Sequence, residues 1–207
     1  MSEGLPPAEL KSAAEGPRRV VAPKEVLRAA AMHFLRSGGL DMDVLAAELN
    51  VSRATLYRVA GSRDELLAEA FWAIDRKLFT DAAAENPPRD VESVIGLTRT
   101  FAEWLAGPSP LRQFFTTEPE TATRLFISPV HGVYRRSVYA QRDIFRAAGV
   151  LSDLSEEELL ARSAVYVRIV ELVLFGDLIG PIAVSFAVAE PALRSLLIDE
   201  VNGSNGA

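Results

Sequence analysis

LDMDVLAAELNVSRATLYRVAGSRDELL, residues 40–67, decides how this chain is read. Asp41 stands just ahead of Val44, Leu45 and Leu49, which recur at helical spacing, so a first short helix is expected with Asp41 as its N-cap. Asn50 interrupts the pattern, and Asn is among the few residues that tolerate the left-handed backbone at a helix end. Ser52 caps a second helix, expected over residues 53–59, in which Ala54 and Leu56 are packing positions. Arg53, Thr55, Tyr57 and Arg58 then form its outer side. Gly61-Ser62 closes that helix, and Ser62-Arg63-Asp64-Glu65 is a capping box that opens a third. A short helix presenting two arginines, a hydroxyl and a phenol suits the major groove of DNA, so the stretch reads as a helix-turn-helix.

Outward from this stretch the chain reads as helices throughout, with neither strand-length alternation nor an internal repeat. Residues 1–22 contain Pro and Gly without apolar periodicity and are expected to be a mobile arm, with Arg18 and Arg19 able to reach phosphate. Pro23 opens a helix to Ser37 with Val26, Leu27, Ala30, Phe34 and Leu35 on its core side, ended by Gly38-Gly39. The third helix of the motif is expected to run to about residue 80, before the break ENPPRD. Further helices are expected over 91–105, 111–116, 119–126, 129–148 and from the Ser155 capping box to about 177. The last two segments, 181–188 and 191–201, are either two helices separated at Pro191 or one unit kinked there. The expected organisation is an arm (1–22), a DNA-binding domain (23–70) and a larger helical domain (71–207).

Several residues of the motif place it in a family. Leu45-Ala46, Val51-Ser52, Thr55-Leu56-Tyr57, Ser62-Arg63 and Leu66 match the DNA-binding pattern of the TetR family of bacterial repressors, which this segment resembles. Three positions depart from that pattern. Asn50 stands for the usual Gly, Val59-Ala60 for the frequent His-Phe, and Arg63 for Lys, which keeps a phosphate-seeking charge with a different geometry. The YRxxGSRDxLL form is similar to that of a lactone-responsive, QsdR-like subgroup from actinobacteria. The candidate DNA contacts are Asp41, Ser52, Arg53, Thr55, Tyr57, Arg58 and Arg63. The resemblance implies an all-α fold, an operator in double-stranded DNA, an effector cavity in the C-terminal domain, and a homodimer through residues 156–177 and 181–201.

Charge and composition bound the alternatives. The net charge is −6, but residues 18–70 carry eight basic and seven acidic side chains, and the acidity lies mainly in the C-terminal part. A weakly basic reading head needs dimerisation and well-placed contacts to hold DNA. With no Cys there is neither a disulfide framework nor a thiolate metal site. The start of the chain lacks the apolar stretch of a signal peptide, and the longest uncharged run, 178–189, is too short to span a bilayer, so a cytoplasmic protein without membrane contact is expected.

The C-terminal helices are rich in aromatics, and the TetR resemblance makes Trp104, Phe114, Phe115, Tyr134 and Phe175 candidate walls of a cavity for a small apolar effector, acyl or lactone-like. His131 and Arg168 are candidate partners for its polar end; Arg168 with Glu171 also reads as a solvated stripe or an ion pair at a dimer seam. Each aromatic taken alone reads better as ordinary core. No cofactor or metal is expected: no metal-binding, nucleophile-elbow or phosphate-loop motif is present. Two alternatives stay open from sequence, a helical interaction module with a degenerate helix-turn-helix and an enzyme with a dispersed site.

Overall fold

A computed structural model describes residues 21–107, 109–126, 132–180 and 182–198. Among them ten helices and no strand are found. The head consists of α1 (Pro23–Ser37), α2 (Met42–Glu48) and α3 (Arg53–Ala60). The body holds α5 (Val91–Ala106), α6 (Pro110–Thr117), α7 (Pro119–Phe126), α8 (Val133–Ala148), α9 (Glu156–Ile179) and α10 (Phe186–Ser195), and α4 (Arg63–Glu85) joins the two.

The head follows its local signals. Asp41 accepts from the backbone N–H groups of Asp43 and Val44 at 2.8 and 3.1 Å, and Ser52 accepts from Thr55 N–H at 3.2 Å. Ser62 and Glu65 form the reciprocal capping box, and Asn50 is left-handed with φ of 53°. The turn between α2 and α3 is closed by Val51 N–H donating to the Ala46 carbonyl at 3.0 Å.

Differences from the expected boundaries have local causes. Helix α4 continues to Glu85 because Ala82-Ala83-Ala84 favours helix and nothing stops it before Asn86-Pro87. Helix α8 begins at Val133 behind a left-handed Gly132, and the expected start at Pro129 falls outside the described residues. At the C-terminal end the open choice between one kinked helix and two resolves as one helix, Phe186–Ser195, with Pro191 inside it. A proline there removes only its own amide donation toward Ala187, and α10 as a whole packs on α5 and α9. In α3, Ala54 is exposed instead of packed, while Leu56 alone of that helix is fully buried.

The larger hydrophobic core crosses from head to body. It includes Phe34 of α1, Phe71 of α4, Phe114 and Phe115 of α6 and Phe175 of α9. Phe34 meets Phe71 edge-on at 4.6 Å between ring centroids, and Phe115 stacks on Phe175 at 4.4 Å. Phe126 of α7 joins the two ends, 4.9 Å from Phe71 and 5.6 Å from Phe175. This ladder of rings fixes α1 and α4 to α6, α7 and α9, so the two parts share one packed seam.

Candidate functional site: reading helix and helical cavity

Helix α3 is seated on the head by Leu56, leaving Arg53, Tyr57 and Arg58 exposed. Arg53 donates to Asp43 of α2 at 3.1 Å and lies 5.6 Å from the centre of the Tyr57 ring, so it is steered along the helix surface. Arg58 has no ion-pair partner among the described residues and is the free cation of the helix. Thr55 is half-buried and its hydroxyl lies 2.9 Å from that of Ser52. Asp41 is held by its two cap bonds, from Val44 and Asp43, which keep its carboxyl below the usual carboxylate range. Both caps therefore act first on helix geometry.

Arg63 sits in a different setting from the one its sequence position suggests. Its Nε donates to the Leu40 carbonyl at 2.7 Å and its Nη2 to Glu118, at the start of the body's α6–α7 turn, at 2.6 Å. Two further links bind the same surfaces: Arg124 of α7 donates to Asp64 at 2.7 Å, and Gln113 of α6 donates to the Ser37 carbonyl at 3.2 Å. The guanidinium of Arg63 thus bolts the helix-turn-helix to the body. Sequence reading missed this because its partners lie 23 and 55 residues away.

A cavity of about 700 Å³ opens between head and body, within the roughly 300–1,000 Å³ usual for small-molecule sites. One wall is α1, through Leu27, Ala31, Met32 and Leu35; the next is α4, through Ile74, Asp75, Leu78 and Phe79. Helices α5, α8 and α9 supply Phe101, Ile144, Val167, Val170 and Leu174. The lining is overwhelmingly apolar. Its mouth carries the exposed side chains Met32, Leu35 and Trp104.

The structure distributes the sequence candidates unevenly. Trp104 and Phe175 face the cavity. Phe114 and Phe115 are fully buried one layer behind, in the ring ladder that ties head to body. Tyr134 is half-buried and donates to the Ala164 carbonyl at 3.3 Å, and its ring carries the Arg168 guanidinium 3.6 Å from its centre. Arg168 donates to Glu171 at 2.6 Å from an exposed position; Glu171 reaches the cavity wall, and burial raises its carboxyl above the usual range. His131 lies outside the described residues. Sequence reasoning missed Asp75, Thr98 and Gln141, polar residues inside amphipathic helices that now line the cavity. Burial alone pushes the Asp75 carboxyl up to about 7. Thr98 shares a 2.8 Å hydrogen bond with the buried Tyr166 hydroxyl, which burial pushes up to about 12.

A helix-turn-helix head packed on a larger helical body, with an apolar cavity at their junction, has the build of a one-component transcriptional regulator. Residues 89–198, more than half of the chain, match the family described as Tetracyclin repressor-like, C-terminal domain. The fold also matches the structure of the R. erythropolis transcriptional repressor QsdR from the TetR family, with a TM-score of 0.74 and 24% identity, over 84% of this chain and 93% of that one. No curated protein sequence gives a significant match. The chain belongs to the TetR family of transcriptional regulators.

Proposed function

We propose that the protein is a homodimeric repressor that leaves a pseudo-palindromic operator when a small, largely apolar molecule fills the cavity. The observation that carries this reading is that α1 and α4 of the head form two walls of the same cavity that α5, α8 and α9 complete. An occupant therefore touches the DNA-reading part directly, and any preference for one head orientation becomes a change in operator affinity. Two reading helices must meet successive major grooves about 34–36 Å apart, so a small tilt of α1 and α4 is enough to break register. On α3 the proposed DNA contacts are Thr55, Tyr57 and Arg58, supported by the exposure of Tyr57 and Arg58, while Arg53 is partly held by Asp43.

The dimer seam is assigned to α9 and α10. Ala161, Val165, Arg168 and Leu172 form one exposed stripe along α9, and Val188 with Ile198 continues apolar exposure at the chain's end. Val165 and Leu172 are each about half exposed, at 49% and 48%, on a helix otherwise packed into the body. Apolar side chains repeating at such spacing favour a second helix as cover. Arg168, paired with Glu171, lies within that stripe.

Fluorescence anisotropy of a labelled operator fragment tests the whole reading. Protein binds at nanomolar to micromolar concentration, and medium-chain amides, esters or lactones displace it. If only charged, sugar-like or nucleotide compounds release DNA, the apolar-effector reading fails while the DNA-reading role stands. Among the described residues no helix is long and apolar enough to cross a membrane, which is compatible with a regulator at work on cytoplasmic DNA.

A further inference from the structure

The cavity's polar groups fall into two sets. At the outer faces of α1 and α4, Lys24 and Arg28 are exposed to solvent, and the exposed Lys77 donates to Asp81 at 2.8 Å. Deeper in, most polar atoms already have partners. The Thr98 hydroxyl bonds Tyr166 and the Val94 carbonyl, Ser137 donates to the Val133 carbonyl, and Glu171 has Arg168. Two groups remain. Gln141 of α8 is only 5% exposed, and its Nε2 has no acceptor. Asp75 of α4 is half-buried at the cavity wall and makes neither a hydrogen bond nor an ion pair among the described residues, and desolvation raises its carboxyl. Unpartnered polar groups in an apolar enclosure are costly and rare. Two of them, on different helices, face one ligand-sized cavity.

We infer that Asp75 and Gln141 are the polar anchor of the cavity, and that they fit an amphiphile with an apolar body and a neutral, amide-like head. This rests on the proposed reading of the cavity as an effector site. The head must do two things at once. It must offer an oxygen to the Gln141 amide, which has hydrogens to donate, and an N–H or O–H to Asp75, whose carboxyl keeps an accepting oxygen in either protonation state. An amide has both. An ester satisfies Gln141 and leaves Asp75 without a donor. A carboxylate head would face Asp75 and Glu171 with like charge, and an ammonium, which has no acceptor, could pair with Asp75 but would leave the Gln141 Nε2 unsatisfied. Arg168 turns outward onto Tyr134 and is not needed.

Four probes that share one chain test this on the full-length protein: octanamide, methyl octanoate, octanoate and octylammonium, titrated calorimetrically at pH 7.5. A site built to hydrogen-bond a group discriminates strongly against analogues that lack it, so octanamide binds at least about tenfold tighter than the other three. Asp75→Leu removes the preference for octanamide over methyl octanoate, and Gln141→Met weakens both by about tenfold. The selectivity among the four probes on the unaltered protein needs no variant and stands even if a substituted chain fails to fold. Octanamide binding no tighter than the others, or a preference that survives both substitutions, overturns the anchor and leaves the cavity reading intact. If none of the four binds the unaltered protein, the cavity reading itself falls and the anchor with it.

Discussion

Replacing Asp75 by Asn removes a half-buried charge that has no partner among the described residues, while keeping the shape of the neutral acid. In the unfolded chain this carboxyl titrates at the ordinary value of 3.8, and in the folded protein burial raises it to about 7. The folded state therefore holds its proton more tightly, and stability falls as pH rises from the unfolded value through the folded one. At pH 5 most of the folded molecules carry the neutral acid; by pH 8 nearly all must enclose the charge. At 1.36 kcal/mol per pH unit of difference, the penalty that builds between pH 5 and pH 8 is about 2–3 kcal/mol. For a chain of this size that corresponds to roughly 5–10 °C of melting temperature. The assay is thermal unfolding of both proteins at pH 5 and pH 8, at one protein concentration because a dimer's melting depends on it. Asp75→Asn is expected to melt higher than the parent at pH 8, and by much less at pH 5. Glu171, which burial also raises, affects both proteins equally and cancels in the comparison. Parallel melting temperatures across this pH range would show that the Asp75 carboxyl is hydrated or paired in solution, and the argument for its enclosure would be wrong.

Four other outcomes are expected. Arg58→Ala weakens operator binding with little change in sequence preference and lowers the salt slope by about 1, as read by anisotropy at several salt concentrations; an unchanged slope removes its phosphate contact. Arg63→Ala leaves the salt slope unchanged, because its guanidinium is turned inward to Leu40 and Glu118, and instead lowers stability by about 1–3 kcal/mol in denaturant unfolding; a lowered slope would return Arg63 to the DNA. Val165→Asp with Leu172→Asp converts the dimer to monomer in sedimentation at micromolar concentration, and a dimer that persists moves the seam off α9. Within a series of amides of increasing chain length, affinity rises by at most about 0.8 kcal/mol per added methylene until the cavity is full; affinity independent of length would deny an apolar wall.

The head was legible in the residues themselves because its signals are short-ranged. A cap and the amides it binds lie within three positions, as at Asp41, Ser52 and Ser62, and Asn50 marks the turn by what its own backbone tolerates. The same holds for the capping box that Ser155 and Glu158 form at the start of α9. Helix lengths were less legible wherever a proline was read as a stop. Pro191 is carried within α10 because packing on two neighbours outweighs one missing amide bond.

Which side chains meet in the cavity was decided by tertiary structure. Phe114, Phe115 and Phe175 have the same hydropathy, and no local rule distinguishes a ring that seals a core from one that lines a space. Packing put all three in the ladder between head and body but brought only Phe175 to the cavity wall as well. Arg63 has the composition of a phosphate ligand, yet Glu118 arrives beside it from 55 residues further on. Asp75 lies in a charged stretch of α4 that by itself reads as a solvated face, and Gln141 likewise in α8. The burial of Gln141 and the partial burial of Asp75 arise only when the helices lining the cavity come together. Desolvation of a polar group depends on everything that surrounds it in space, and a sequence records only its neighbours along the chain.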